Sequence, residues 1–168
     1  MGANVGDTQA TLDQALRALT ALPGTTLRAV SPYYRSRPVG GVEQPDFLNA
    51  VAALDVPAGP EPETGAAALL EALKQLEHAL GRQPRQRWGP REIDLDLLLF
   101  GSHLIERRDD PWLVVPHPEM TNRLFVLAPL ADLAPDLRPP GWSESVAQAR
   151  DRRREVEGAE AVVPANPS

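Results

Sequence analysis

The sequence predicts an α+β fold, and three features lead to this conclusion. The stretch 25–34 is rich in threonine, valine and tyrosine, which favour strands, and 47–56 follows it as a second candidate strand. Two stretches, 8–22 and 66–80, repeat leucine with the spacing of an amphipathic helix. A further stretch, 93–99, alternates apolar with polar residues, as a half-buried strand does. The order strand–helix–strand–strand–helix–strand fits a ferredoxin-like antiparallel sheet with helices on its faces.

The two helices have clear starts or ends in the sequence. Asp7 or Thr8 can cap the first helix, and Pro23 with Gly24 ends it. Gly81 suits the C-terminal cap of the second helix. The leucines that form their apolar stripes are Leu12, Leu16 and Leu19 in the first helix, and Leu69, Leu73, Leu76 and Leu80 in the second.

In the last third of the chain the sequence predicts shorter strands and helices. Residues 103–106 can return as a short hairpin strand, and 113–115 lead into an extended segment. Residues 119–133 favour a helical region that breaks at Pro129, and 143–157 favour a short charged helix. One domain is therefore expected over residues 1–157, followed by a disordered tail over 158–168.

Composition excludes several function classes. A chain of 168 residues is long enough for one domain with a real core. The net charge of −6 argues against broad nucleic-acid binding. Because there is no cysteine, disulfides and thiolate sites are excluded. Neither a signal-peptide pattern nor an apolar run of membrane-span length is present. We therefore expect a cytoplasmic monomer that acts on small molecules, without nucleic-acid or membrane partners.

The stretch 82–100 is where we expect the chemistry. A loop broken by prolines and a glycine carries four arginines: Arg82, Arg85, Arg87 and Arg91. Asp94 and Asp96 follow on one face of the predicted strand, roughly 6.6 Å apart along the backbone. Arginines match phosphate oxygens bidentately, and paired carboxylates hold a hard cation. The combination predicts a site for a metal-bound polyphosphate, and no Walker A loop is present to provide another one.

Each of these features also has an ordinary structural explanation, which competes with the functional interpretation. Two carboxylates on the polar face of a strand are more often solvated than metal-bound, and arginine-rich loops are more often surface. The acidic background of the chain and Trp88, a large apolar side chain inside the polar loop, favour a functional loop. Phe47 and Asn49 share one strand face and can stack on and hydrogen-bond a flat heterocycle, although a core pair is the commoner case.

The segment RWGPREIDLDLLLFG resembles the signature of the 6-hydroxymethyl-7,8-dihydropterin pyrophosphokinase family, and the resemblance covers about residues 2–137. It implies transfer of pyrophosphate from ATP to 6-hydroxymethyl-7,8-dihydropterin, which gives AMP and the pterin diphosphate in folate biosynthesis. It also implies Mg²⁺, as two ions held by Asp94 and Asp96. Arg82 and Arg91 would act with these carboxylates as catalytic residues by binding phosphate oxygens.

The resemblance assigns further residues to two subsites. Those on the ATP side are Lys74, Glu77, Arg85, Trp88, Leu97, His117 and Arg123. Those on the pterin side are Ser36, Arg37, Val39, Phe47, Asn49 and Phe125. The chain departs from the family pattern at Arg37, where proline is usual, and at Phe47, where tyrosine is frequent. Phenylalanine keeps the stacking face and drops the hydroxyl group.

The N-terminal segment also resembles the family, but several apolar strand residues that usually precede it are absent. We therefore expect that the true start lies upstream and that the first strand is truncated. Two alternatives follow. One is a family member disabled by the missing strand. The other is a non-catalytic ligand- or RNA-binding module, which the few aromatic residues and the acidic charge disfavour.

Overall fold

The computed structural model describes residues 1–84, 88–109 and 112–165. Its strands are β1 (Gly2–Ala3), β2 (Thr26–Val30), β3 (Tyr34–Ser36), β4 (Phe47–Asn49), β5 (Ala52–Asp55), β6 (Ile105–Arg107), β7 (Leu113–Val115) and β8 (Val162–Pro164). Its α-helices are α1 (Thr8–Thr20), α2 (Pro62–Ala79), α3 (Leu124–Leu133) and α4 (Val146–Glu157). A 3-10 turn, Met120–Asn122, precedes α3. This mixture of helices and strands confirms the α+β class.

The strands pair antiparallel in three groups. The largest has the order β1-β4-β3-β8, while β2 pairs with β5 and β6 pairs with β7. Each long candidate strand of the sequence is divided in two. The first divides at Ser31, whose backbone N donates to Val51 O and whose hydroxyl accepts from Val51 N. Since Pro32 cannot donate a backbone hydrogen bond, the chain changes pairing partner here.

The central stretch 93–99 is not a regular strand. Its one bridge within the described chain joins Asp94 to Gly2 in antiparallel pairing. The predicted alternation nevertheless holds at its start, where Ile93 and Leu95 are buried and Asp96 is exposed. The side-chain pattern is therefore confirmed for residues 93–96 but not for 97–99, which are all half-buried, and the predicted backbone ladder is wrong.

The helices lie where the sequence predicts them, except that α2 begins four residues earlier than expected, at Pro62, and that Pro129 does not break α3. The helix runs through it, and the proline is completely buried. A proline in a helix interior costs one backbone hydrogen bond, and burial of an almost wholly apolar helix offsets that cost. The predicted break is wrong. The predicted cap at Asp7 is confirmed, because its carboxylate accepts from Ala10 N at 3.1 Å.

The C-terminal residues contribute to the sheet. We expected disorder from residue 158, but β8 pairs with β3, and Arg37 N donates to Ala161 O at 3.2 Å. The helix before it, α4, starts at a capping box formed by Ser145 and Gln148. The C-terminal segment therefore supports the strand that carries Ser36. Of the helices described, none is long and apolar enough to span a bilayer.

Candidate functional site

One cavity of about 590 Å³ opens beside β1, β3, β4 and the segment 88–98, and α3 and α4 close its far side. Its volume is that of an ordinary small-molecule site. The predicted site residues that line it are Ser36, Arg37, Val39, Phe47, Asn49, Arg82, Trp88, Arg91, Asp94, Asp96, Arg123 and Phe125. The structure therefore brings together residues from four separate parts of the chain.

The carboxylate end of the cavity is braced from behind by Glu77. This residue of α2 is buried, and its Oε2 accepts from Leu95 N at 2.8 Å and from Arg82 Nη1 at 2.5 Å. Arg82 Nη1 also donates to Asp94 Oδ1 at 3.0 Å. Glu77 does not line the cavity. It holds two groups in place: the backbone at Leu95, which lies between the two aspartates, and the guanidinium of Arg82, which pairs with Asp94.

The two aspartates repel each other at this end. The pKa of Asp96 is raised, first because the cavity walls displace water around the carboxylate and second because Asp94 carries like charge. Asp96 remains exposed to the cavity and has no hydrogen bond from the described residues. A cation placed between the carboxylates would relieve this repulsion.

The donor set fits Mg²⁺. Within the described residues no three His, Cys, Asp or Glu side chains converge as a complete protein cage. Mg²⁺ is typically held by one or two carboxylates, together with substrate phosphates and water. Asp94 and Asp96 supply the carboxylate oxygens that such a site requires.

Asn4 joins the two loops that flank the cavity. Its Oδ1 accepts from Arg91 N at 2.8 Å, and its amide nitrogen donates to Gln44 Oε1 and Pro45 O, both at 2.9 Å. Gln44 Nε2 in turn donates to Trp88 O at 2.6 Å. These bonds tie the loop 36–45 to the loop that carries Arg91.

Trp88 stands at the mouth of the cavity in an uncommon backbone conformation. Its φ is 65°, in the left-handed region, and its side chain is 45% exposed. A side chain at Gly40 would meet Trp88 Cβ at 3.1 Å, so the close approach of the two loops favours glycine there. Trp88 therefore packs loop against loop while its ring still reaches solvent.

The other end of the cavity combines amide and aromatic groups. Asn49 and Ser36 are buried, and the Asn49 amide nitrogen donates to Ser36 Oγ at 2.7 Å. Phe47 lies two residues earlier on β4, and Phe125 lines the same cavity from α3. The guanidinium of Arg123 lies 5.8 Å from the Phe125 ring centroid. Aromatic faces beside a fixed amide suit a flat heterocycle with polar edges.

Four predicted residues lie outside this cavity, and Arg85 falls outside the described residues. Lys74 is exposed on α2, and Glu77 lies behind the wall. Leu97 lines an adjoining cavity of about 640 Å³. His117 donates its backbone N–H to Leu98 O at 2.8 Å, and burial lowers its pKa although Asp96 lies close enough to oppose the shift.

Several cavity residues were missed by the sequence analysis. They are the lining residues Glu119, Asn122, Arg153 and Glu157, and the bridging residues Asn4 and Gln44. Arg153 carried a weak signal as part of a run of three arginines, which was interpreted as a solvated helix face. Only the packing of α4 against α3 turns one member of that run toward the cavity.

A family model and several known proteins match this chain over most of its length. The model of the family described as 7,8-dihydro-6-hydroxymethylpterin-pyrophosphokinase matches residues 1–135. A Pseudomonas aeruginosa protein named 2-amino-4-hydroxy-6-hydroxymethyldihydropteridine pyrophosphokinase is 49% identical over 140 residues, which cover 83% of this chain and 81% of that protein. Proteins of the same name from Haemophilus influenzae and Bacillus subtilis are 38% and 39% identical, over 91% and 88% of this chain and 92% and 83% of their own lengths.

Proposed function

Because the chain belongs to the 7,8-dihydro-6-hydroxymethylpterin-pyrophosphokinase family, we propose that it transfers pyrophosphate from ATP to 6-hydroxymethyl-7,8-dihydropterin. The observation that carries the proposal is one cavity with two carboxylates, Asp94 and Asp96, beside Arg82 and Arg91 at one end, and with Phe47, Phe125 and the Asn49 amide at the other, where Arg123 and Arg153 also line it. A polyphosphate and a flat heterocycle would fit these two ends side by side. The match of the family model to residues 1–135 confirms the resemblance found in the sequence at the level of the family.

The reaction requires positioning and charge neutralisation more than covalent catalysis. The hydroxymethyl oxygen forms a bond to the β-phosphorus and gives up its proton to water. The bond from that phosphorus to the α,β-bridging oxygen breaks, and AMP leaves with this oxygen. Arg82 and Arg91 would hold phosphate oxygens through charge-assisted hydrogen bonds. Because Glu77 and Asp94 bind Arg82, its guanidinium is already oriented before ATP arrives.

Asp94 and Asp96 would hold Mg²⁺, for which we propose two ions shared with the phosphates of ATP. When bound, the metal neutralises phosphate charge and fixes the geometry of the transferred group. Arg123 would contact ATP from the α3 side of the cavity. His117, Lys74 and the other ATP-side residues outside the cavity stay predictions.

At the opposite end, Phe47 and Phe125 would stack on the pterin ring, and Asn49 would hydrogen-bond its edge. Ser36 holds the Asn49 amide in place, which favours one orientation of the amide. Arg37 and Val39 line the lip of this pocket and are exposed, so they would contact the ring near solvent. Arg37 therefore narrows access to the pocket without filling its interior.

We further propose that the sheets are parts of one ferredoxin-like core. This is supported by β1, which pairs with β4 on one side and meets Asp94 on the other through Gly2. The central stretch thus runs alongside the largest sheet. Monomeric state and cytoplasmic location stay predictions.

The function is tested by measuring AMP release from Mg-ATP with and without 6-hydroxymethyl-7,8-dihydropterin. We expect AMP only when the pterin is present, because the pterin oxygen is the acceptor. An Asp136→Asn variant serves as the matched control, since Asp136 is exposed and lies outside the cavity. AMP or ADP formation that ignores the pterin would contradict the proposal, and so would a silent protein that binds neither substrate.

The bonds from Asn4 and Gln44 suggest that the two flanking loops close together over bound substrates. We expect hydrogen exchange in 36–45 and 88–91 to slow in parallel when a non-hydrolysable ATP analogue, Mg²⁺ and a pterin analogue are added. Gln44→Ala removes the bond to Trp88 O and should leave faster exchange in both loops. The connection 57–61 provides the internal control. Exchange that is equal with and without the ligands would refute loop closure.

A further inference from the structure

The second member of the arginine run 152–154 faces the cavity from α4. Arg153 and Glu157, one turn apart, both line it, although α4 lies outside residues 1–135, which the family model matches. Their neighbour Arg154 is exposed. Two side chains from the C-terminal segment thus join a site whose other lining residues all lie within positions 1–126.

The pair Arg153–Glu157 is not explained by the stability of α4 alone. Arg153 Nε donates to Glu157 Oε2 at 2.6 Å in an i,i+4 pair with the arginine first, which is the less favourable order on a helix. Glu157 is also the last residue of α4, where the helix dipole disfavours a negative charge. Within α4 alone, both effects leave the Glu157 carboxylate less favourably placed, so a contact outside α4 would stabilise it.

That contact is the start of α3. Glu157 Oε2 accepts from the backbone N of Leu124 at 3.0 Å, and the positive end of the α3 dipole stabilises the carboxylate. Leu124 lies between Arg123 and Phe125, which both line the cavity. Glu157 therefore fixes the guanidinium of Arg153 relative to the aromatic wall of the site.

The free edge of this guanidinium is available to a ligand. Its Nε is bound to Glu157, and none of the described residues accepts a hydrogen bond from its two terminal nitrogens. The side chain is 25% exposed, so the open edge is only partly hydrated. These two nitrogens are hydrogen-bond donors, and the bond from Leu124 N to Glu157 keeps them on the side of the cavity that carries Phe125.

We propose that Arg153 is a further binding residue, which donates hydrogen bonds to the carbonyl and ring-nitrogen edge of the heterocycle held beside Phe125. This inference rests on the proposed function. Asn49 presents an amide oxygen that accepts no hydrogen bond from the described residues, so the pocket offers an acceptor on β4 and a donor on α4. A pterin ring carries the complementary donor and acceptor groups along one edge.

The test measures the KM for the pterin and the KM for ATP separately. We expect Arg153→Gln to raise the KM for the pterin about 10-fold, which is the usual effect of losing a charged hydrogen-bond donor. The KM for ATP should change less than about twofold. Arg153→Lys keeps a cation beside Glu157 but loses the planar two-nitrogen edge, so its pterin KM should also rise while its melting temperature is retained. Arg154→Gln, on the same helix, is the matched control and should match the wild type.

Binding of a pterin analogue without nucleotide gives a second readout and should weaken by the same factor. An unchanged pterin KM in a folded Arg153→Gln protein overturns the inference and leaves the proposed function intact. A rise in the KM for ATP alone also overturns it, because Arg153 would then serve the phosphates. A wild type that forms no pterin-dependent AMP defeats the proposed function, and this inference with it.

Discussion

Asp96→Asn is expected to lower kcat for pterin-dependent AMP formation by about 1,000-fold, by analogy with the loss of one preorganised charged contact to a transition state. Asparagine keeps the shape of the side chain and removes the negative charge that a magnesium ion needs. Asp94→Asn should have an effect of similar size, and it also removes the partner of Arg82.

The Asp96→Asn substitution should leave the protein as stable as the wild type, or more stable. The pKa of Asp96 is raised in the folded state by loss of water and by Asp94, so the charged carboxylate opposes folding at pH 7, above its usual pKa. Asparagine removes that opposition. The melting temperature should be unchanged or higher without metal, while the rise that Mg²⁺ with an ATP analogue gives the wild type should shrink.

These two readouts distinguish a metal site from a structural carboxylate. Asp136→Asn is the control for removing an exposed carboxylate away from the cavity. A variant of Asp96 with near wild-type kcat would remove this residue from the catalytic set. A strong loss of stability would show that Asp96 has a structural role instead.

Glu77→Ala should have the largest effect on stability, lowering the free energy of unfolding by about 3 kcal/mol. Glu77 is 4% exposed, and alanine would leave the buried backbone N of Leu95 without its acceptor. Arg82 would lose one of its two carboxylate partners as well. The cost therefore comes from two donors that are left behind, rather than from the area of the side chain.

Chemical denaturation of the variant, followed by circular dichroism, measures this loss. Glu71→Ala is the matched control, because it lies on the same helix, is exposed and hydrogen-bonds only Gln75 among the described residues. It should stay within about 0.5 kcal/mol of the wild type. At denaturant concentrations where the Glu77 variant is still folded, its KM for ATP should be higher than that of the wild type, because Arg82 is no longer oriented. Equal stability of the two variants would contradict the bracing role.

The resemblance assigned Glu77 to the ATP subsite, and the structure places it behind the cavity wall. A carboxylate eighteen positions before Leu95 gives no sign in the sequence that it will accept that backbone hydrogen bond. The helix stripe of α2 was visible because leucines repeat along it, and Glu77 lies beside that stripe. What it contacts depends on where the central stretch runs against α2.

For the strands too, the sequence predicted what depends on neighbouring residues and missed what depends on distant segments. Alternation along 93–99 identified the buried positions Ile93 and Leu95 correctly, because the two faces of an extended chain depend on local geometry alone. The ladder was not predictable, since hydrogen bonding depends on which segment lies alongside. The strand β8 was missed for this reason: three residues acquire a strand conformation only because β3 offers them an edge.

The sequence by itself determined the family, the α+β class, the approximate positions of the helices and the order of an arginine-rich loop followed by two carboxylates. Each of these is recorded in residue types and spacings within about twenty positions. Only the tertiary structure decided that Asn4 holds Arg91 across 87 positions, that Glu77 supports the aspartates from behind, and that Arg153 turns into the cavity. The physical reason is that these contacts join polar groups far apart in the chain. Such groups carry no periodic signal, and they meet only after the apolar faces have packed.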